Sequence, residues 1–262
     1  MPLRVGVFGA GGRMGSTVCR AVADDSQLEL VGAVDPFHSG IDLRQVTGVD
    51  LPMQLAAGPE VFADTEAQVV VDFTQADAAR ENLLWLAEHG IHAVVGTTGF
   101  TDADYDRFRE VFTTSNCVIA PNFAIGAVLM MRFAELAAPY FESVEIIEYH
   151  HDDKVDAPSG TAVMTAERIA AASKDWAADP TTSEVLEGAR GGRGPADIRV
   201  HALRVRGMVA HQEVLLGTTG QTLDIRHDTY DRSSFMPGVL LAVKAVGNRA
   251  GLTIGLDELL DL

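Results

Sequence analysis

The chain has 262 residues, 47% of them hydrophobic and 22% charged, enough for one large or two modest domains with a real core, which excludes disordered and fibrous classes. Asp and Glu outnumber Lys and Arg by 37 to 20, for a formal net charge of −17. So acidic a surface repels phosphate backbones and anionic lipid, so neither nucleic acid nor a membrane is an expected partner, and an anionic small substrate requires a local basic cluster. Cys19 and Cys117 both lie in apolar runs and make neither a disulfide framework nor a zinc site. With a strand already legible at Leu3–Phe8, no signal peptide precedes it, and a cytoplasmic protein is expected. The apolar stretch 124–141 contains Arg132 and Glu135 and reads as a core helix.

Short β-rich runs alternate with helical patterns through the first 120 residues. Leu3–Phe8 precedes a glycine cluster and a helix over 14–23, and Leu28–Val34 and 69–73 are β-like. Residues 75–89 form a helix with Leu83, Leu84, Leu86 and Ala87 on its apolar face and Gly90 as its stop. His92–Val95 is a strand, Thr101-Asp102-Ala103-Asp104 resembles a capped helix start, and 118–120 closes the series. Such alternation predicts right-handed crossovers and a Rossmann-like parallel sheet, with ligands outside the carboxyl ends of its strands.

After Asn122 the pattern changes. A long helix over 125–140 leads to a strand over 144–151, a helix starts near Ser159, and 177–196 is an excursion loop. Three β-runs at 198–205, 210–216 and 222–227, with turns at Gly207-Met208 and 217–220, predict an antiparallel or mixed sheet. A helix returns from Gly238. The expectation is an α/β dinucleotide-binding domain from 1–122 and 238–262, and a smaller α+β domain for substrate binding and oligomerisation from 123–237.

Gly9-Ala10-Gly11-Gly12-Arg13-Met14-Gly15 joins a strand to a helix, the context of a dinucleotide-binding turn. The strict G-x-G-x-x-G spacing fails at Met14; Gly9-x-x-Gly12-x-x-Gly15 fits. Asp35 ends the next strand, where a carboxylate accepts from adenosine ribose hydroxyls. Arg13 can meet a 2′-phosphate, but Pro36 directly after the acid offers no second cation, so NADH is mildly favoured over NADPH.

The densest chemistry lies in His150-His151-Asp152-Asp153-Lys154 and the following Ser159-Gly160-Thr161. Two histidines and a lysine form the required basic cluster, and a Ser-Gly-Thr helix start seats a carboxylate. Neighbouring residues on an extended chain point to opposite faces, so no metal site is expected here. His38, His89, His92, His201, His211 and His227 read as isolated, structural or surface histidines, and Arg232 as half of a surface ion pair. On these residues alone, a silent dinucleotide sensor and a dehydrogenase of a linear semialdehyde remain open.

The string His-His-x-x-Lys-x-Asp-Ala-Pro-Ser-Gly-Thr-Ala over 150–162 resembles the signature of the dihydrodipicolinate reductase family, also called 4-hydroxy-tetrahydrodipicolinate reductases, of the diaminopimelate route to lysine. The resemblance extends to the turn over 9–15, to Gly96-Thr97-Thr98-Gly99 as a nicotinamide-side loop and to Ala120-Pro121-Asn122-Phe123 as an interdomain hinge. It implies His150 as general acid/base, Lys154 as proton donor and substrate ligand, and His151, Gly160 and Thr161 as holders of a cyclic dicarboxylate. It further implies that Gly9 to Met14, Asp35, Gly96, Thr97, Thr98 and Ala120 to Phe123 line NADH or NADPH, and that the chain forms a homotetramer. Pro36 stands where some relatives carry an arginine for the NADPH phosphate, which sets the cofactor preference apart from the chemistry.

Overall fold

A computed structural model describes residues 1–260. In chain order the elements are β1 (Leu3–Phe8), α1 (Arg13–Asp24), β2 (Leu28–Val34), α2 (Leu43–Thr47), α3 (Glu60–Asp64), β3 (Val69–Asp72), α4 (Ala76–Glu88), β4 (His92–Val95), α5 (Asp102–Val111) and β5 (Cys117–Ile119). They continue with α6 (Ile125–Ala137), β6 (Ser143–His150), α7 (Gly160–Ala172), β7 (Gly192–Arg193), β8 (Arg199–Arg204), β9 (Ala210–Thr218), β10 (Gln221–Thr229), α8 (Met236–Ala245) and β11 (Leu252–Ile254). The chain divides into two compact units, Met1–Ile125 with the segment from Phe235 onward, and Gly126–Ser234.

The first unit is built on a six-stranded sheet in the order β11-β5-β4-β3-β1-β2, and all its pairs are parallel. Runs such as Val69-Val70-Val71 are apolar at every position because both faces of the sheet are covered, and all three valines are fully buried. Phe8, Phe62, Leu83, Leu86, Phe108 and Phe112 fill the core, with Phe8 and Phe62 meeting edge to face at 4.9 Å. Thr101 and Asp104 close a capping box that starts α5 as the sequence predicts. Since every strand runs the same way, the segments after β1 to β5 emerge along one edge. The expected dinucleotide residues are therefore neighbours along that edge.

The second unit holds a five-stranded mixed sheet in the order β10-β9-β6-β8-β7. Reading 198–205 and 210–216 as partners in an antiparallel hairpin is incorrect. β6 lies between them, with Tyr149 paired to Leu203 on one side and to His211 on the other. The crossover through α7 and the excursion loop returns the chain in its original direction, so β8 runs parallel to β6. Gln212 on β9 donates to Thr165 Oγ1 of α7 at 2.7 Å, which fixes the helix-covered face. By strand alternation, Glu148 shares that face, and Ile147 and Tyr149 belong to the other.

Candidate active site

The glycine turn after β1 is built for close backbone approach. Gly9 has φ +66°, and its carbonyl accepts from Gly12 N at 2.9 Å. A Cβ at Gly15 would lie 2.0 Å from the Gly9 oxygen, so the third glycine lets α1 begin against the turn. Gly12 caps α1 without a side-chain partner, and the helix start presents backbone N–H groups and the positive dipole end. Ala10 is fully buried and its N–H goes to Val34 O at 3.1 Å, so it shapes the turn. Arg13 is exposed at the first position of α1, and Met14 is half-buried beside it.

Asp35 is buried, and its Oδ2 accepts from Gly11 N at 2.9 Å. Its Oδ1 accepts from Phe37 N and meets His38 Nδ1, both at 3.0 Å. His38 is not the isolated histidine that the sequence suggests. The 3₁₀ turn Pro36–His38, capped by Asp35 itself, folds the imidazole back onto the acid. Bare glycine backbone, a helix start and a ribose-height carboxylate suit the pyrophosphate and ribose of a dinucleotide.

Farther along the edge, Asp72 at the end of β3 is fully buried yet accepts from Thr74 N, Thr74 Oγ1, Asn82 Nδ2 and Thr97 Oγ1 at 2.7–3.2 Å. Thr97 is thereby turned inward, and also donates to Thr74 O at 3.1 Å, whereas Thr98 is exposed. A Cβ at Gly96 would lie 1.9 Å from Phe73 Cε1, and the Phe73 ring packs on Phe123 at 5.7 Å. Ala120 and Phe123 are buried, Pro121 is exposed, and Asn122 Oδ1 accepts from Ala124 N at 2.8 Å. Asp72 is the fastener of both loops that the sequence reading missed; an acid closing an all-valine strand is the signal for it.

In the second unit the candidate acid sits at the end of β6. Glu148 is fully buried, and its Oε2 accepts from His150 Nδ1 at 2.5 Å and from Arg204 Nη1 at 2.9 Å. Its Oε1 accepts from Arg204 Nη2 and Ser159 N, both at 3.0 Å. Burial alone would raise the Glu148 carboxyl; the Arg204 and His150 hydrogen bonds outweigh it and hold the group below its ordinary value. An ionised carboxylate only accepts, so the His150 proton facing it is on Nδ1, and Nε2 is the nitrogen left for chemistry. Burial, opposed by Glu148 and aided by Lys154 and Arg204, lowers the His150 pKa.

Arg204, at the end of β8, also donates from Nε to Lys154 O at 3.3 Å and from Nη2 to Asp156 O at 2.6 Å. It thus ties the Lys154 loop to the acid that orients His150. Lys154 Nζ is held by both carboxylate oxygens of Asp156 at 2.7 Å. Ser159 caps α7 through Ala162 N at 3.2 Å, which sets Gly160 and Thr161 in the first turn. His151 is exposed, and Asp152 pairs with Arg206 at 2.7 Å. His201 and His211 are not isolated either: they bond Glu145 at 2.5 Å and Asp228 at 2.7 Å.

Oxidoreduction is the chemistry for which these two halves are equipped. The first can hold a hydride-carrying nicotinamide dinucleotide, and the second can give a proton and cations to an anionic acceptor, which defines a nicotinamide-dependent oxidoreductase. Residues 3–123 match the family model for the dihydrodipicolinate reductase N-terminus, and residues 126–260 that for its C-terminus. The chain is 52% identical to the 4-hydroxy-tetrahydrodipicolinate reductase of Nocardia farcinica, covering 100% of both chains. It is 46% identical to that of Corynebacterium urealyticum, over 99% of both. A solved dipicolinate-bound dihydrodipicolinate reductase from Paenisporosarcina sp. TG-14 superposes with a TM-score of 0.86 at 38% identity, covering 98% of this chain and 99% of that one. The chain belongs to the dihydrodipicolinate reductase family.

Proposed function

We propose that the chain reduces 4-hydroxy-tetrahydrodipicolinate, through its dehydrated ring, to tetrahydrodipicolinate, with NADH or NADPH, on the route to diaminopimelate and lysine. The dinucleotide, when bound, supplies a hydride to ring C4. Everything else is the work of side chains. Charge from the hydride moves through the conjugated ring toward its nitrogen, and His150 Nε2 with the Lys154 ammonium supplies the proton that quenches it. Lys154, His151 and the α7 start at Gly160 and Thr161 hold the two carboxylates. The observation that carries this reading is the Glu148 bond to His150 Nδ1, with Arg204 fastening Glu148 and the Lys154 loop together.

Burial first, and then the Lys154 and Arg204 charges, lower the His150 pKa. A dianion settling on Lys154 removes part of that cause and adds attraction for a proton, so substrate binding charges the acid it uses. An Asp35 carboxylate holding a bound adenosine ribose would repel a 2′-phosphate, which supports a mild preference for NADH. We assign the first unit to the dinucleotide and the second to substrate and assembly, and we place the enzyme in the cytoplasm as a homotetramer. Ile147, Tyr149, Leu203 and Leu215, all part-exposed on the sheet face opposite α7, support assembly through that sheet.

The test follows nucleotide absorbance while a condensing synthase makes the ring from pyruvate and aspartate semialdehyde. Oxidation that requires every component is expected, and His150→Gln should lower kcat by about 10²–10⁴-fold with NADH affinity unchanged. Oxidation of NADH by aspartate semialdehyde alone would contradict the reading, as would an unchanged kcat in the variant.

A further inference from the structure

We propose that Asp156 is a positioning residue that holds the Lys154 ammonium in place of a substrate carboxylate and gives way to that carboxylate on binding. The inference deepens the reading of Lys154 as a carboxylate ligand and rests on it.

Lys154 Nζ donates to both carboxylate oxygens of Asp156 at 2.7 Å. A carboxylate on a small ring can take over the same two-oxygen contact. The hydrogen bond from Lys154 holds the Asp156 carboxyl below its ordinary value, so the group on the ammonium is an anion at neutral pH. The two partners differ in exposure: the Lys154 side chain is 19% exposed and that of Asp156 62%. The cation is set into the protein, and its counter-ion faces solvent.

Backbone contacts fix both residues and leave the carboxylate free to turn. Arg204 donates from Nε to Lys154 O at 3.3 Å and from Nη2 to Asp156 O at 2.6 Å, and Lys154 N donates to His151 O at 3.3 Å. With its backbone so tied, Asp156 can release the ammonium by a rotamer change, and the loop need not move. An ammonium largely withdrawn from water is costly to leave unpaired, and exchanging one carboxylate for another keeps it paired before and after binding. The exchange also swings a negative charge out of the path of a dianion. A permanent Lys154–Asp156 pair would instead cancel one of the few cations that this acidic chain places beside His150.

The test is a calorimetric titration of dipicolinate, the ligand of the solved Paenisporosarcina relative, into the intact protein with NADH present. Asp156→Asn keeps the size of the side chain and removes its charge, so it should bind dipicolinate about two- to fivefold more tightly than the wild-type protein. Asp156→Ser, which also lacks the charge, should show the same gain, and high salt should shrink it. Lys154→Ala should weaken dipicolinate binding, and adding Asp156→Asn to it should bring no gain, because there is no ammonium left to uncover. Binding unchanged or weakened in Asp156 variants that still bind NADH would overturn the proposal and make the pair a fixed prop of the loop. An equal gain in the absence of Lys154 would overturn it too, since the carboxylate would then act only as a repulsive charge. Wild-type dipicolinate affinity in Lys154→Ala would contradict the reading of Lys154 itself.

Discussion

Arg204 makes five hydrogen bonds, two of them to Glu148 and two to carbonyls of the loop after β6, at Lys154 and Asp156. No lysine can reproduce that fork, since an ammonium is a point charge without planar, spaced donors. Arg204→Lys is accordingly expected to lower kcat/KM by about 10–100-fold and to raise the pH at which kcat/KM declines, because the loosened loop exposes His150 to water and relieves its burial. The sign follows from the lowered His150 pKa: a required acid with a depressed pKa loses its proton early as pH rises, and solvation delays that loss. A drop in rate with the pH profile unmoved would assign Arg204 to folding alone. His150 and Lys154 were legible because they lie four residues apart in one segment. Arg204 was not, being 56 residues from Glu148; its one local sign was a cation at the end of a strand. His38 was visible as a residue, but its partner depended on a three-residue turn whose direction the sequence does not state.

The elements follow the same division. The capped start of α5 and the helical period of α4 depend on neighbours within a few residues, so both were readable. The insertion of β6 between β8 and β9 depends on pairings across the chain, and alternation within a strand carries no information about its partner. β11 escaped notice because three residues show no period. The turn between β1 and α1 is the element on which the proposed dinucleotide seat most depends. Gly15→Ala puts a methyl group 2.0 Å from the Gly9 oxygen and forces the turn open. Fluorescence titration should show NADH affinity weakened by about tenfold or more. Wild-type NADH affinity in this variant would mean that the turn does not carry the pyrophosphate.

At the scale of the molecule, composition poses a charge problem: an acidic chain must concentrate its cations to hold an anion. If the second sheet assembles four copies, light scattering on the eluting protein will give four times the 28.0 kDa chain mass. A fully active species at 28.0 kDa would refute that assembly. The charge problem also supplies the most direct test of the central claim, that a dicarboxylate charges the acid that later serves it. Dipicolinate, the ligand of the solved Paenisporosarcina relative, can be titrated at pH 7.5 in buffers of different ionisation enthalpy, with the dinucleotide present. Net uptake of a fraction of a proton is expected for the wild-type protein, and none for His150→Gln. Binding without uptake in the wild-type protein, or the same uptake in the variant, would contradict the account.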